Sequence, residues 1–289
     1  MSVRPWFVGA DGRPYAIWRI LLFLALVAVC GIAVSLAVQP LLMGFGRTTG
    51  LTSVEQVYAT TVAFLLAHWI MLKTVDRQPW SFVWLHREAA QPRSLIKGFL
   101  LGAIPIGFVS LLLVGVGLLD VMTAPDGSWT RVALQTLVLL LPAAFYEELL
   151  SRGYLFATLR EWLGTNWAIF VTSAGFGLLH LANPNVSVLS ITLVTLAGVY
   201  LAIVLLATQS LYAAWLAHFA WNWVMAALLH VPVSGLPLSR PDYQIVDAGP
   251  DWITGGAWGP EGGAGAGLGM LGGLAYLYWR SRRKTPSSQ

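Results

Sequence analysis

The chain has 289 residues, of which 57% are hydrophobic and 10% charged, and its formal net charge is +4. A soluble domain of ordinary composition carries about 25% charged residues, so this composition excludes a single water-soluble domain. The basic residues form short clusters between apolar runs instead of one exposed face, which favours membrane topology signals over binding of nucleic acid. The lone cysteine, Cys30, excludes a disulfide framework and a cysteine zinc site.

Apolar segments long enough to cross a bilayer recur along the whole chain, since about 20 helical residues span the hydrocarbon core. By this criterion the sequence predicts eight spans, at Ile17–Val38, Val54–Leu72, Leu95–Leu119, Val132–Leu159, Trp167–Leu181, Val186–Ala207, Leu211–Val231 and Ala264–Trp279. The first run lacks a small-residue cleavage site, so we expect it to be retained as an anchor. We therefore expect an all-α, polytopic helical bundle that forms one membrane domain over residues 1–289.

The distribution of Lys and Arg predicts that both termini are cytoplasmic. In that orientation the basic clusters lie on the cytoplasmic side of the membrane, and the extracytoplasmic side has only Arg47, Arg131 and Arg240. Residues 232–263, rich in Gly, Pro and Trp, are expected to form an extracytoplasmic loop, and residues 280–289 a basic cytoplasmic tail. The chain is thus predicted to be a multi-pass protein of a bacterial inner (plasma) membrane.

The fourth predicted span contains three ionisable residues within six positions. Glu148 and Arg152 are four residues apart and share a helix face, so they are predicted to form an ion pair. Glu147 points about 100° away and has no partner on its own helix. Charges inside a span are costly unless they are paired, which makes Glu147 the carboxylate available for chemistry and the other two supporting residues.

Two further spans carry polar pairs at a spacing of four. Phe176 and His180 share a face of the fifth span, and His218 and Asn222 share a face of the seventh. At about 1.5 Å of rise per residue, these groups and Glu147 lie about 14 to 21 Å from the presumed cytoplasmic ends of their helices. The sequence therefore predicts that they meet at one depth, in a catalytic core at about 132–231.

Such a cluster suits hydrolysis. A carboxylate beside a histidine can take a proton from water, and a second histidine with an asparagine amide can donate hydrogen bonds to an oxyanion. Alternatively, Glu147, His180 and His218 could ligate one zinc ion with a water in the open position, although no H-E-x-x-H helix is present. We expect either no cofactor or one Zn²⁺.

The three motifs together resemble those of a known family. The order E-E-x-x-x-R (Glu147 to Arg152), F-x-x-x-H and H-x-x-x-N is similar to that of the CPBP membrane proteases, the type II CAAX prenyl endopeptidases and their bacterial relatives linked to bacteriocin processing and self-immunity. The resemblance implies an intramembrane endopeptidase, glutamate-type or metal-dependent, for a membrane-associated peptide or protein. It implies that Glu147 and His180 activate water, that His218 and Asn222 stabilise the oxyanion, and that the cavity opens to the cytoplasm.

Two alternatives of other classes remain at this point. A non-catalytic immunity factor or scaffold of the same fold would keep the polar cluster without needing an ionisable Glu147. A small transporter would use intramembrane carboxylates to carry protons. The absence of a paired inverted repeat in the sequence argues against the transporter.

Overall fold

The structure, a computed structural model, describes residues 7–9, 12–44, 51–123, 128–237 and 243–284. The described part is a bundle of helices, which confirms the predicted all-α class. The helices are α1 Ala16–Gly44, α2 Ser53–Ile70, α3 Pro92–Gly115, α4 Trp129–Arg152, α5 Tyr154–Leu163, α6 Thr165–Leu179, α7 Val188–Thr208, α8 Leu211–Trp223, α9 Asp251–Thr254 and α10 Ala264–Lys284. Each predicted span therefore has a helix within it.

Five stretches of the described residues are long and apolar enough to cross a membrane. They are Ala16–Leu41, Ser53–Asp76, Pro92–Gly115, Trp129–Leu163 and Val188–Thr208. Helices α6 and α8 are shorter, with 15 and 13 residues, although π-helical residues Val224–Leu229 extend α8. The protein is thus an integral membrane protein, while the number of eight crossings stays a prediction.

The predicted span Val132–Leu159 corresponds to the apolar stretch Trp129–Leu163, but two helices form it instead of one. Helix α4 ends at Arg152, and α5 begins at Tyr154 after Gly153 leaves the helical conformation (φ −82°, ψ −123°). The Tyr154 N–H donates to Nε2 of His68 from α2 at 3.0 Å, and a methyl group on residue 153 would overlap this ring. A buried imidazole thus caps α5, and it reaches the backbone only because Gly153 lacks a side chain.

Helix α8 lies against α3 with almost no side-chain volume between them. Gly98 and Gly102 of α3 face the backbone of Ala213 and Ala217, so that a methyl group on either glycine would overlap α8. Small residues permit this close approach of two helices in a membrane. The contact fixes the helix that carries His218.

The described part of the segment between α8 and α10 contains regular secondary structure, although the sequence predicts a loop. Strand β1 (Leu119–Thr123) pairs antiparallel with β2 (Tyr243–Asp247), in the register Leu119↔Asp247. Sequence patterning missed this pair because five-residue strands show little periodicity. Residues 238–242 of the segment, and Arg47 with them, lie outside the described residues.

The predicted tail over residues 280–289 begins inside a helix. Helix α10 continues to Lys284, and residues 285–289 lie outside the described part of the chain. The first half of the predicted tail is thus the last turn of α10.

We predict that Gly153→Ala lowers the stability of the protein. The added methyl group displaces His68 from the first turn of α5, an overpacking that costs about 1–3 kcal/mol. Thermal unfolding in detergent measures the effect. The control is Gly31→Ala in α1, where a methyl group has no neighbour within 4 Å; equal melting temperatures for the two variants would contradict the role assigned to Gly153.

Candidate active site

The predicted ion pair on α4 is present and completely buried. Arg152 Nη1 lies 3.0 Å from Glu148 Oε1, and both side chains have 0% exposure. Arg152 also donates from Nη2 to the Gly198 carbonyl of α7 at 2.8 Å. The pair therefore neutralises itself and links α4 to α7.

Glu148 has a second partner that helix spacing alone did not reveal. The same oxygen, Oε1, accepts a hydrogen bond from Nδ1 of His218 at 2.9 Å. A carboxylate on one ring nitrogen sets the orientation of the imidazole and leaves the other nitrogen for chemistry. Glu148 thus orients His218 in addition to pairing with Arg152.

Glu147 lies on the other side of the same imidazole. Its Oε2 is 3.8 Å from His218 Nε2, and its side chain is 27% exposed whereas that of Glu148 is 0% exposed. This distance is too long for a direct hydrogen bond, but one water molecule beside the two atoms can bond to both. Glu147 is therefore the accessible carboxylate of the pair.

His180 lies where α6 ends and a short 3₁₀ turn, His180–Ala182, begins. Its Nδ1 is 2.8 Å from the Phe176 carbonyl oxygen, so that Nδ1 donates and Nε2 is left as an acceptor. The ring of Phe176 is 4.8 Å from that of His180 and 5.7 Å from that of His218. The guanidinium of Arg152 covers the same ring at 4.6 Å. Phe176 is thus the packing centre of the site.

Three of the four predicted catalytic residues line one small cavity. His180, His218 and Asn222 surround about 30 Å³ of space, enough for about one or two water molecules. Glu147 does not line this space, and no ion pair joins it to His180 among the described residues. The structure therefore places Glu147 beside His218, whereas the resemblance paired it with His180.

The residues of the cavity wall that sequence reasoning missed include two polar ones from the segment between α8 and α10, Ser234 and Glu261. Both belong to the segment predicted as an extracytoplasmic loop, so in the predicted orientation that segment forms part of the site. A glutamate beside glycines in an irregular segment has no periodicity that would place it. The sequence contains one indication of a role for Glu261, which is that a charged residue stands among uncharged ones shortly before α10.

A much larger groove of the described structure lies elsewhere. It lies between α3 and α10, has a volume of about 1390 Å³ and is lined mainly by apolar side chains such as Ile104, Phe108 and Leu268. None of the predicted site residues lines it. Cavity size alone would therefore indicate a different place from the one that the sequence motifs indicate.

The candidate zinc ligands do not converge in this arrangement. The described residues contain no group of three His, Cys, Asp or Glu side chains placed to hold one metal ion. Glu147 and His218 approach each other, but His180 lies across the cavity beside Phe176. We therefore derive no step through a metal ion, and the choice between no cofactor and one Zn²⁺ stays a prediction.

We predict stability effects of very different size for the two neighbouring glutamates. Glu148→Gln leaves the buried Arg152 without its counter-charge, which costs about 3–5 kcal/mol of folding free energy. Glu147→Gln acts on a partly exposed group and changes stability by about 0.5 kcal/mol or less. Melting temperatures of the two variants in the same detergent check this, and a Glu148→Gln protein as stable as wild type would contradict it.

The motif helices also match a protein family. The family model described as type II CAAX prenyl endopeptidase Rce1-like matches residues 129–224, from the first residue of α4 to just beyond α8. No curated protein and no solved structure gives a significant match. Proteins of this family are membrane proteases, and the matched segment contains all three motifs. Over residues 129–224, the chain is therefore similar to the type II CAAX prenyl endopeptidase Rce1-like proteins.

Proposed function

We propose that the protein is an intramembrane endopeptidase that uses an activated water to hydrolyse a peptide bond of a membrane-associated peptide or protein. One observation carries the proposal. The accessible Glu147 carboxylate faces Nε2 of His218, whose other nitrogen is held by the buried Glu148, and His218 in turn lines a cavity together with His180 and Asn222. An apolar bundle has no structural need for such a cluster.

Glu147 is the proposed general base. Its carboxylate takes a proton from a water molecule while the water oxygen attacks the scissile carbonyl carbon. The proton then passes to the nitrogen of the leaving amine as the carbon–nitrogen bond breaks. His180, with Nε2 open as an acceptor, holds the water on the cavity side.

His218 and Asn222 are the proposed donors to the oxyanion. They are four residues apart on α8, so both side chains face the same cavity. The amide of Asn222 donates from Nδ2, and His218 donates from Nε2 when it carries protons on both nitrogens. Donors held in place in a water-poor site stabilise developing charge without reorganisation.

We expect Glu147→Gln to reduce cleavage by at least about 10²-fold, because the amide cannot accept a proton from water. His180→Ala is expected to act in the same direction. The assay uses the purified protein in liposomes with a synthetic library of single-span peptides, and mass spectrometry of the products gives the cut sites.

The matched control for this experiment is Glu88→Gln, a change of the same kind at an exposed residue outside the site. Its cleavage should equal that of wild type. Full activity of Glu147→Gln would remove the proposed base. A folded wild-type protein that cleaves no peptide of the library would favour the non-catalytic immunity or scaffold alternative.

A metal-free mechanism predicts less than stoichiometric zinc in the active protein. Elemental analysis of the purified protein, with activity assayed before and after a chelator, checks this expectation. One zinc ion per chain, lost together with activity on chelation, would overturn it. In that case His180 has to approach Glu147 and His218 to complete a three-residue ligand set.

A further inference from the structure

The described residues between α8 and α10 form one wall of the cavity, which Ser234 and Glu261 line. Trp258 is 2% exposed and packs against Phe176, the packing centre of the site. The Gly235 N–H donates to the Trp258 carbonyl at 2.9 Å. Gly259 has φ 101° and faces the Pro232 backbone, a position that no residue with a side chain fits. This wall therefore has a defined position relative to the site.

Glu261 is a charged residue of this wall that lines the cavity, and it is buried, with 9% exposure. Its Oε1 accepts hydrogen bonds from the backbone N–H and from Oγ of Ser234, the latter at 2.7 Å. Its Oε2 accepts from the indole Nε1 of Trp221 at 3.2 Å. A carboxylate is costly to bury in an apolar bundle, and here three donors compensate for that cost.

The hydrogen-bond partners of Glu261 connect it to two parts of the site. We call them the His180 arm, which is the turn His180–Ala182, and the α8 arm, which carries His218 and Asn222. Trp221 lies between His218 and Asn222 on α8. On the other side, the Ser234 carbonyl accepts from Asn183 Nδ2 at 2.9 Å, and the Asn183 N–H donates to the His180 carbonyl at 3.1 Å. Glu261 thus links the helix that carries His218 to the turn that carries His180. Trp221 forms one side of this link, and Ser234 with Asn183 forms the other.

We propose that Glu261 is a positioning residue of the hydrolysis, which sets the separation of the His180 arm from the α8 arm through Ser234 and Trp221. The inference rests on the proposed function. Glu261 lies outside the segment that matches the family, and both of its oxygens are already bonded to the protein. It therefore acts through its partners and not on the substrate.

Two substitutions interrupt the link without removing a large side chain. In Glu261→Gln an NH₂ group replaces one carboxylate oxygen, so that either the Trp221 indole or the Ser234 backbone N–H faces another donor. Trp221→Phe removes the indole donor and leaves Glu261 unchanged. If both act on the same link, the double variant is no worse than the more impaired single variant.

The chain offers a matched control in the same segment. Asp247 accepts hydrogen bonds from the Gly249 N–H at 2.9 Å and from Thr254 Oγ1 at 2.6 Å, but it does not line the cavity. Asp247→Asn therefore perturbs the fold of the segment without touching the link between the two arms.

The kinetic test uses the full chain in liposomes and the synthetic single-span peptide library. Glu261→Gln should lower kcat by about 10- to 100-fold and leave KM within about threefold, because misplaced catalytic groups slow chemistry more than binding. Asp247→Asn should keep kcat within about twofold of wild type. An unchanged kcat in Glu261→Gln, or an equal loss in both variants, would overturn the proposal.

A second measurement separates this proposal from the proposed function. Spin labels on Leu181→Cys and Leu228→Cys, both exposed in the structure, report the distance between the two arms in a Cys30→Ser background. Glu261→Gln should broaden the distance distribution, and Asp247→Asn should leave it narrow. If wild type cleaves no peptide, the proposed function fails, and the distances alone then decide on Glu261: a broadened distribution supports the link, and an unchanged one overturns it.

Discussion

A carboxylate with no exposure in an apolar bundle must be neutralised and hydrogen-bonded, and the structure is organised around this requirement at Glu148. Its Oε1 contacts Arg152 on the same helix and His218 on α8, while Arg152 contacts the α7 backbone at Gly198. Helices α4, α7 and α8 are therefore joined by this ion pair and its hydrogen bonds. Loss of a single partner leaves an uncompensated ion in a medium that solvates it poorly.

Glu147 and Glu148 are adjacent and chemically identical, but their surroundings differ. Helix geometry turns Glu147 about 100° from Glu148, out of reach of Arg152. One carboxylate is consequently locked between a guanidinium and an imidazole, and the other keeps contact with water on the far side of the same imidazole. In the proposed mechanism, the buried carboxylate orients His218 and the accessible one takes the proton. A single buried histidine thus lies between two carboxylates of different exposure.

Features that depend on local spacing were predictable from the sequence, and those that depend on distant neighbours were not. The Glu148–Arg152 pair follows from four residues of helix, and the apolar runs predict the helical bundle. The helix break at Gly153 depends on His68, a residue of a different helix, so the apolar run around it shows no interruption. Likewise, Glu261 lies in an irregular segment, where no period relates its position in the sequence to its place in the fold.

The tight contact of α3 with α8 has a consequence for how the site can evolve. The family match covers residues 129–224, yet α8 owes its position to Gly98 and Gly102, which precede that stretch. The residues that match the family and the residues that position α8 are therefore different sets. A chimera that transferred only residues 129–224 into another chain would carry every motif but not Gly98 and Gly102, so α8 would keep its position only where the recipient offers an equally close helix surface.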